Sequence, residues 1–224
     1  MQRLAIYDMD KTITRAPTWT PFLVAYARAK APWRLALLPV AGLAALGYAV
    51  GWIGRGRLKE IAQGLLMGPR VDPADVAPVA AAFADRLIAD GVYPEALARI
   101  AADRAEGYRV VLATASCRFY VDAIGARLGI TDVVATDNQR DAKGRILARL
   151  AGENCYGAAK LAMIEAWLAR EGIAREKATV RFYSDHVSDA PALAWADEAF
   201  AVNPHPPLRA MAQARGWTVL DWRQ

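Results

Sequence analysis

Between residue 94 and the end of the chain, short apolar runs alternate with longer stretches of helical character. The runs are Arg109–Ala113, Val133–Ala135, Thr179–Tyr183, Ala199–Val202 and a last one near Trp217–Leu220. The first, second and fourth of these, together with Leu4–Tyr7 near the start, are apolar on successive residues rather than on every second one. A strand of that kind has both faces buried, which is the habit of a parallel sheet covered by helices on both sides. The intervening stretches Pro94–Glu106, Phe119–Leu128, Gly157–Glu171, Asp189–Ala196 and Leu208–Arg215 read as those helices. Asn138–Arg149, with Lys143-Gly144 at its centre, reads as a hairpin. The expected fold is α/β, a Rossmann-like parallel sheet.

The first strand is separated from the rest by a segment with a different pattern. Residues 18–30, 33–50, Leu58–Met67 and Pro73–Ala89 read as helices, punctuated by Pro17, Pro21, Pro32, Pro39 and Gly68-Pro69. The expected organisation is a core of residues 1–14 and 91–224 with an inserted all-helical cap at 15–90.

The insert holds most of the chain's charge imbalance. The 224 residues carry a formal net charge of +5. Residues 15–70 contain eight basic residues (Arg15, Arg28, Lys30, Arg34, Arg55, Arg57, Lys59, Arg70) and one acid, Glu60, so the remainder is slightly acidic. Leu35–Gly54 has no charged residue at all, a length near that of a membrane span. One crossing would put the two halves of the sheet on opposite sides of a bilayer, and the run is too short for two. It is therefore either buried within the cap or lies on, or dips shallowly into, a membrane. Trp33, Tyr48 and Trp52, flanked by basic residues, suit an interfacial element. The window is too apolar for a solvated face that binds nucleic acid.

Arg3, Asp8, Asp10 and Lys11 interrupt any signal-peptide core, and two cysteines make neither a disulfide scaffold nor a four-thiolate zinc site. The expectation is a cytoplasmic chain, peripheral at the inner face of the membrane if the run is interfacial. Cys117 and Cys155 lack the partners of a zinc centre or a catalytic thiol.

Chemistry gathers at strand ends, where open parallel sheets bind ligands. Asp8 and Asp10 follow the first run directly. One can attack phosphorus while the other handles a proton. Thr114 and Ser116 follow another run and can donate to a phosphoryl oxygen. Lys160 opens a helix after Asn154-Cys155-Tyr156-Gly157. Asp185 and Asp189 follow Tyr183, and Asp189 also stands where a helix cap would. Such oxygens suit Mg²⁺. His186, between these acids, either meets substrate or faces solvent.

Taken together, Asp8/Asp10/Thr12, Thr114, Lys160 and Asp185/Asp189 resemble the four motifs of the haloacid dehalogenase superfamily of phosphohydrolases, over nearly the whole chain. The helical insert and the stretch Lys143–Lys160 resemble the subfamily that includes phosphoserine phosphatase. The resemblance implies that Asp8 is the nucleophile and forms an aspartyl-phosphate. It makes Asp10 the general acid and then base, with Thr114 and Lys160 holding phosphoryl oxygens. Asp8, the Asp10 carbonyl and Asp185 would bind Mg²⁺, with Asp189 in support, and Thr12, Ser116 and Arg57 are the candidates for substrate contact. Phosphoserine-type members carry an acid nine positions after the nucleophile. Here that position is Pro17, and no acid occurs from Thr12 to Lys30. Some members of the subfamily resemble phosphatidylglycerophosphate phosphatase. The leading expectation is therefore a Mg²⁺-dependent phosphomonoesterase acting on a phospholipid monophosphate, with an anionic membrane surface as partner. The alternatives are a soluble small-metabolite phosphatase of phosphoserine or histidinol phosphate type, and a non-catalytic membrane-bound regulator.

Overall fold

The apolar runs pair side by side in one parallel sheet. The computed structural model describes residues 2–223. Strand β1 (Gln2–Tyr7) is followed by helices α1 (Trp19–Lys30), α2 (Leu38–Ala49) and α3 (Arg55–Leu66), then β2 (Arg70–Val71) and α4 (Pro73–Asp90). After these come α5 (Pro94–Ala105), β3 (Arg109–Cys117), α6 (Arg118–Arg127), β4 (Asp132–Thr136), β5 (Asn138–Arg140) and β6 (Ile146–Leu150). The chain ends with α7 (Ala158–Arg170), β7 (Ala178–Ser184), α8 (Ala190–Trp195), β8 (Glu198–Val202), α9 (Pro206–Arg215) and β9 (Thr218–Leu220).

Six strands lie in the order β4-β3-β1-β7-β8-β9, every neighbouring pair parallel. The continuous apolarity of β1 has a direct cause. Successive side chains point to opposite faces. Ala5 and Tyr7 enter one core with Phe22, Tyr120 and Ile124, while Leu4 and Ile6 enter a second with Ile164, Trp167 and Phe182. Both faces are covered, so neither register position tolerates a polar residue. β1 lies between β3 and β7, so the carboxyl ends of these three strands meet at one edge of the sheet.

The hairpin read at 138–149 is β5 and β6. It forms a second, antiparallel sheet in the order β2-β6-β5. The two-residue strand β2 was not anticipated. It ties the helical segment back to the core through Arg70–Leu147 and Val71–Ile146. α3 adds Gln63, whose amide donates to the Leu147 carbonyl at 3.2 Å, and Glu60, which accepts from the Leu150 N–H at 3.0 Å.

Three element boundaries depart from the sequence reading. The stretch 33–50 is not one helix: a 3₁₀ turn at Pro32–Leu37 precedes α2, which restarts with Pro39 in its first turn, where the missing N–H costs nothing. α3 begins at Arg55 rather than Leu58. β3 continues past Ala113 to Cys117, with a register shift against β4 after Thr114.

The uncharged run is not buried. α2 has no buried residue, and Trp33, Val40, Leu43, Leu46, Val50 and Trp52 are all exposed. Among the described residues no helix is long and apolar enough to cross a membrane.

Candidate active site

Asp8 sits directly after β1, its N–H donating to the Tyr183 carbonyl of β7 at 2.9 Å. The chain then turns sharply. Lys11 takes a left-handed backbone (φ 63°), a conformation that costs a non-glycine residue energy, and both carboxylates line the same cavity. That cavity, of about 310 Å³, is lined by Asp8, Asp10, Thr114, Lys160, Asp185 and Asp189. Every catalytic or metal residue expected from the sequence is therefore brought together.

Lys160 is the hub. It is almost fully buried on α7, and its Nζ donates to Asp8 Oδ1 at 2.7 Å and to Asp189 Oδ2 at 2.6 Å. Burial alone would push the ammonium down, but the two carboxylates outweigh it and hold it above its ordinary range. Burial pushes the Asp8 carboxyl up to about 7 against the pull of Lys160, and pushes Asp185 up to about 6, with Asp189 adding to the effect. Ser184 Oγ donates to Asp189 Oδ2 at 2.8 Å. Asp189 makes no side-chain cap bond to α8, so the capping role open to it from sequence is not the one it fills.

Asp10 is held by three donors: the Thr18 N–H at 2.9 Å and Thr18 Oγ1 at 2.8 Å, both to Oδ1, and Ser116 Oγ at 2.9 Å to Oδ2. Ser116, expected at the substrate, is thus a support for Asp10. Thr12, also expected there, is spent inside the protein: its hydroxyl donates to Asp8 Oδ2 at 3.3 Å and accepts the Asp185 N–H at 3.0 Å, tying the two acidic loops together. Neither lines the cavity. Thr114 does line it, and its Oγ1 accepts the Ser116 N–H at 3.1 Å, leaving its own proton free to donate.

Arg57 is corrected by the structure. It is exposed and paired with Glu60 at 3.1 Å, away from the acidic cavity. Arg55, one of the basic residues of the same segment, lines the cavity instead, with its guanidinium 3.9 Å from the centre of the Tyr156 ring and its buried Nε without a partner among the described residues. His186 and His205 complete the mouth, their rings 4.3 Å apart. Burial holds both below the usual histidine range, so the cationic side chains here are Arg55, Lys11 and Lys160. Lys59 is also buried, donating to the Ala115 carbonyl and to Asn154 Oδ1, which fastens α3 to the end of β3.

The resemblance implies Mg²⁺. Among the described residues no three His, Cys, Asp or Glu side chains form a closed metal cage. Magnesium does not require one: it takes one or two carboxylates and keeps water and substrate oxygens. The Asp185 carboxylate accepts no hydrogen bond among the described residues, Asp8 Oδ2 accepts only the long one from Thr12, and Asp189 Oδ1 is buried without a partner. These hard, under-satisfied oxygens fit the ion. A larger open groove of about 1010 Å³ between α1 and α4 shares only Pro17 with this cavity and has Asp90 as its single acid.

A family model described as haloacid dehalogenase-like hydrolase matches residues 5–194. The chain belongs to that family. The residues just described, at the carboxyl ends of β1, β3 and β7 and at the start of α7, all lie within the matched span. This haloacid dehalogenase-like hydrolase is 32% identical over 139 residues to the phosphoserine phosphatase SerB1 of Mycobacterium tuberculosis, covering 62% of this chain and 44% of that one. It is 27% identical over 118 residues to the histidinol-phosphatase of Neisseria meningitidis, covering 52% and 53%. The chain thus spans about half the length of these curated relatives. A crystal structure of a protein of unknown function from Bordetella pertussis Tohama I superposes with a TM-score of 0.88 at 28% identity, covering 99% of both chains.

Proposed function

We propose that this haloacid dehalogenase-like hydrolase cleaves phosphomonoesters through an aspartyl-phosphate on Asp8. The observation that carries the reading is Lys160: one buried ammonium bonded to both Asp8 and Asp189, in the wall of a cavity that Thr114 and Asp10 also line. A carboxylate can approach an anionic phosphate only where their repulsion is cancelled, and Lys160 stands where it cancels it.

In the first step Asp8 attacks phosphorus and the bond from phosphorus to the ester oxygen breaks. Asp10, held by Thr18 and Ser116, delivers its proton to the departing oxygen. In the second step Asp10 takes a proton from water as that water attacks phosphorus, freeing Asp8 and inorganic phosphate. Lys160 and the Thr114 hydroxyl hold the equatorial phosphoryl oxygens. Asp8, the Asp10 carbonyl and Asp185 would hold Mg²⁺, which supplies charge neutralisation when bound. Asp189 holds Lys160 in place.

The substrate we favour is a phospholipid monophosphate such as phosphatidylglycerophosphate, met at an anionic membrane surface. Pro17 in place of an ammonium-binding acid and the exposed apolar α2 support this. The second reading, a soluble small-metabolite phosphatase, draws support from the names of the relatives, a phosphoserine phosphatase and a histidinol-phosphatase. A non-catalytic regulator would have no use for a buried Lys160–Asp8 pair. The experiment is phosphate release by the purified chain with Mg²⁺ from phosphatidylglycerophosphate in mixed micelles, phosphoserine, histidinol phosphate and p-nitrophenyl phosphate. Release from all four vanishing in Asp8→Asn is the expected outcome for a hydrolase. Release that survives Asp8→Asn overturns the mechanism, and a preference for the polar esters overturns the lipid substrate.

A further inference from the structure

α2 conflicts with an aqueous surface. Its sequence, Leu38–Ala49, contains no charged residue, and none of its residues is buried. At about 100° per residue, Leu38, Leu46, Leu43, Val40 and Tyr48 follow one another right round the helix, and all five are exposed. Small residues, Ala41, Ala44 and Gly47, are less exposed than these, and α2 and α3 lie side by side. An amphipathic helix made to dock on a protein groove shows one apolar stripe and one polar face. A helix apolar all round belongs inside an apolar medium. Leu43 is 68% and Leu46 60% exposed, and Trp52, at the turn that follows, is 85% exposed.

The path of the chain sets the depth. Residues 32–37 lead out, α2 follows, and Gly51 (φ +79°) turns the chain back into α3, which returns to the core through Lys59, Glu60 and Gln63. The excursion leaves and rejoins the molecule on one side. α2, 12 residues long, measures about 18 Å against the roughly 30 Å of a hydrocarbon core. It can enter one leaflet and cannot cross.

The charges choose the occupant. Arg28 and Lys30 precede the excursion and Arg57 follows it, with Glu60 the single acid between residues 15 and 70. Arg28 has no ion-pair partner among the described residues, while the exposed Lys30 and Arg57 also pair with Asp75 and Glu60. A second copy pressed on this face would bring its own cations against these. An anionic leaflet meets the apolar side chains with hydrocarbon and the cations with headgroups.

We infer that residues 32–54 are a re-entrant helical hairpin that inserts α2 and Trp52 into a single leaflet of an anionic bilayer. This deepens the membrane-facing reading of the substrate and is tested apart from it. The full chain carrying Asp8→Asn, which binds without turnover, is given one added cysteine at Leu43, Leu46 or Leu97 and labelled with an environment-sensitive fluorophore. Cys117 and Cys155 stay silent, because both are buried and burial pushes their thiols up to about 12. With vesicles of phosphatidylcholine containing phosphatidylglycerol, the labels at 43 and 46 shift to the blue and become shielded from an aqueous quencher. The label at Leu97, an exposed leucine on α5, does neither. Leu43→Glu with Leu46→Glu lowers vesicle co-sedimentation at least 10-fold and leaves p-nitrophenyl phosphate hydrolysis in solution unchanged. Absence of co-sedimentation, equal responses at 43 and 97, or a blue shift without vesicles accompanied by a dimer mass overturns the hairpin. Vesicle binding without any phosphatase activity overturns the catalytic reading and leaves the hairpin standing.

Discussion

Replacing Lys160 with methionine is the most demanding test of the site, because the side chain keeps its length and loses only its charge. The native ammonium bonds Asp8 and Asp189 at 2.7 and 2.6 Å, with all three groups buried. Removing one partner of a buried ion pair leaves an uncompensated charge and costs about 3–5 kcal/mol. For a chain of this size each kcal/mol moves Tm by about 2–4 °C, so the expected loss is roughly 6–20 °C. The loss must depend on pH. The Asp8 and Asp185 carboxyls sit at about 7 and about 6, above the unfolded value of about 3.9. Folding therefore takes up protons across that interval. The cluster's contribution to stability is fullest in acid and falls as the pH rises through 7. Without Lys160, which pulls Asp8 down, the fall is steeper. Thermal unfolding followed by circular dichroism at pH 5.5 and pH 8, without added metal, measures it. The variant should lose more at pH 8, and Asp189→Asn added to it should restore part of the loss at pH 8 without restoring turnover. A loss under about 1 kcal/mol, typical of a surface pair, or one equal at both pH values, refutes the coupling of Lys160 to buried carboxylates.

Two further outcomes separate support from substrate contact. Ser116→Ala removes one of the three donors on Asp10 and should lower kcat roughly 10- to 100-fold, part of the roughly 10²–10⁴ that a positioned acid–base group supplies, with KM little changed; a raised KM at constant kcat would return Ser116 to the substrate. Arg57→Ala breaks an exposed pair with Glu60 worth about 0–1 kcal/mol and should leave KM unaltered, whereas Arg55→Ala should raise it. The reverse pattern in steady-state kinetics would restore Arg57 to the site.

The acids at strand ends were legible from adjacency along the chain, whereas Lys160, at the start of a helix, was legible only through the resemblance of the ordered motifs to the family. Asp8 comes directly after a run that must be a buried strand, Asp185 shortly after another, and strands side by side in a parallel sheet deliver their carboxyl ends to one edge. No knowledge of the far partner was required. Hydroxyls are different. A carboxylate at a strand end faces the cavity by default, but the partner of a hydroxyl is whatever donor or acceptor lies within about 3 Å. Ser116 meets Asp10 across 106 residues of chain, and Thr12 meets Asp185 across 173. The strand β2 escaped for a related reason: two residues carry no periodicity, and only pairing with β6 makes them a strand.

The arginine was misplaced by a phase error. Arg55 and Arg57 are two residues apart, and in a helix that separates them by about 200°, so one of them faces the cavity and the other faces away. Deciding which requires knowing that the helix has already begun at Arg55. Reading its start at Leu58 left both in a loop, where neither direction is defined. Once α3 begins at Arg55, the face that carries Lys59 inward to Ala115 and Asn154 is the face of Arg55, four residues before it and one turn away. Arg57, about 200° further round, is exposed and paired with Glu60 and does not line the acidic cavity.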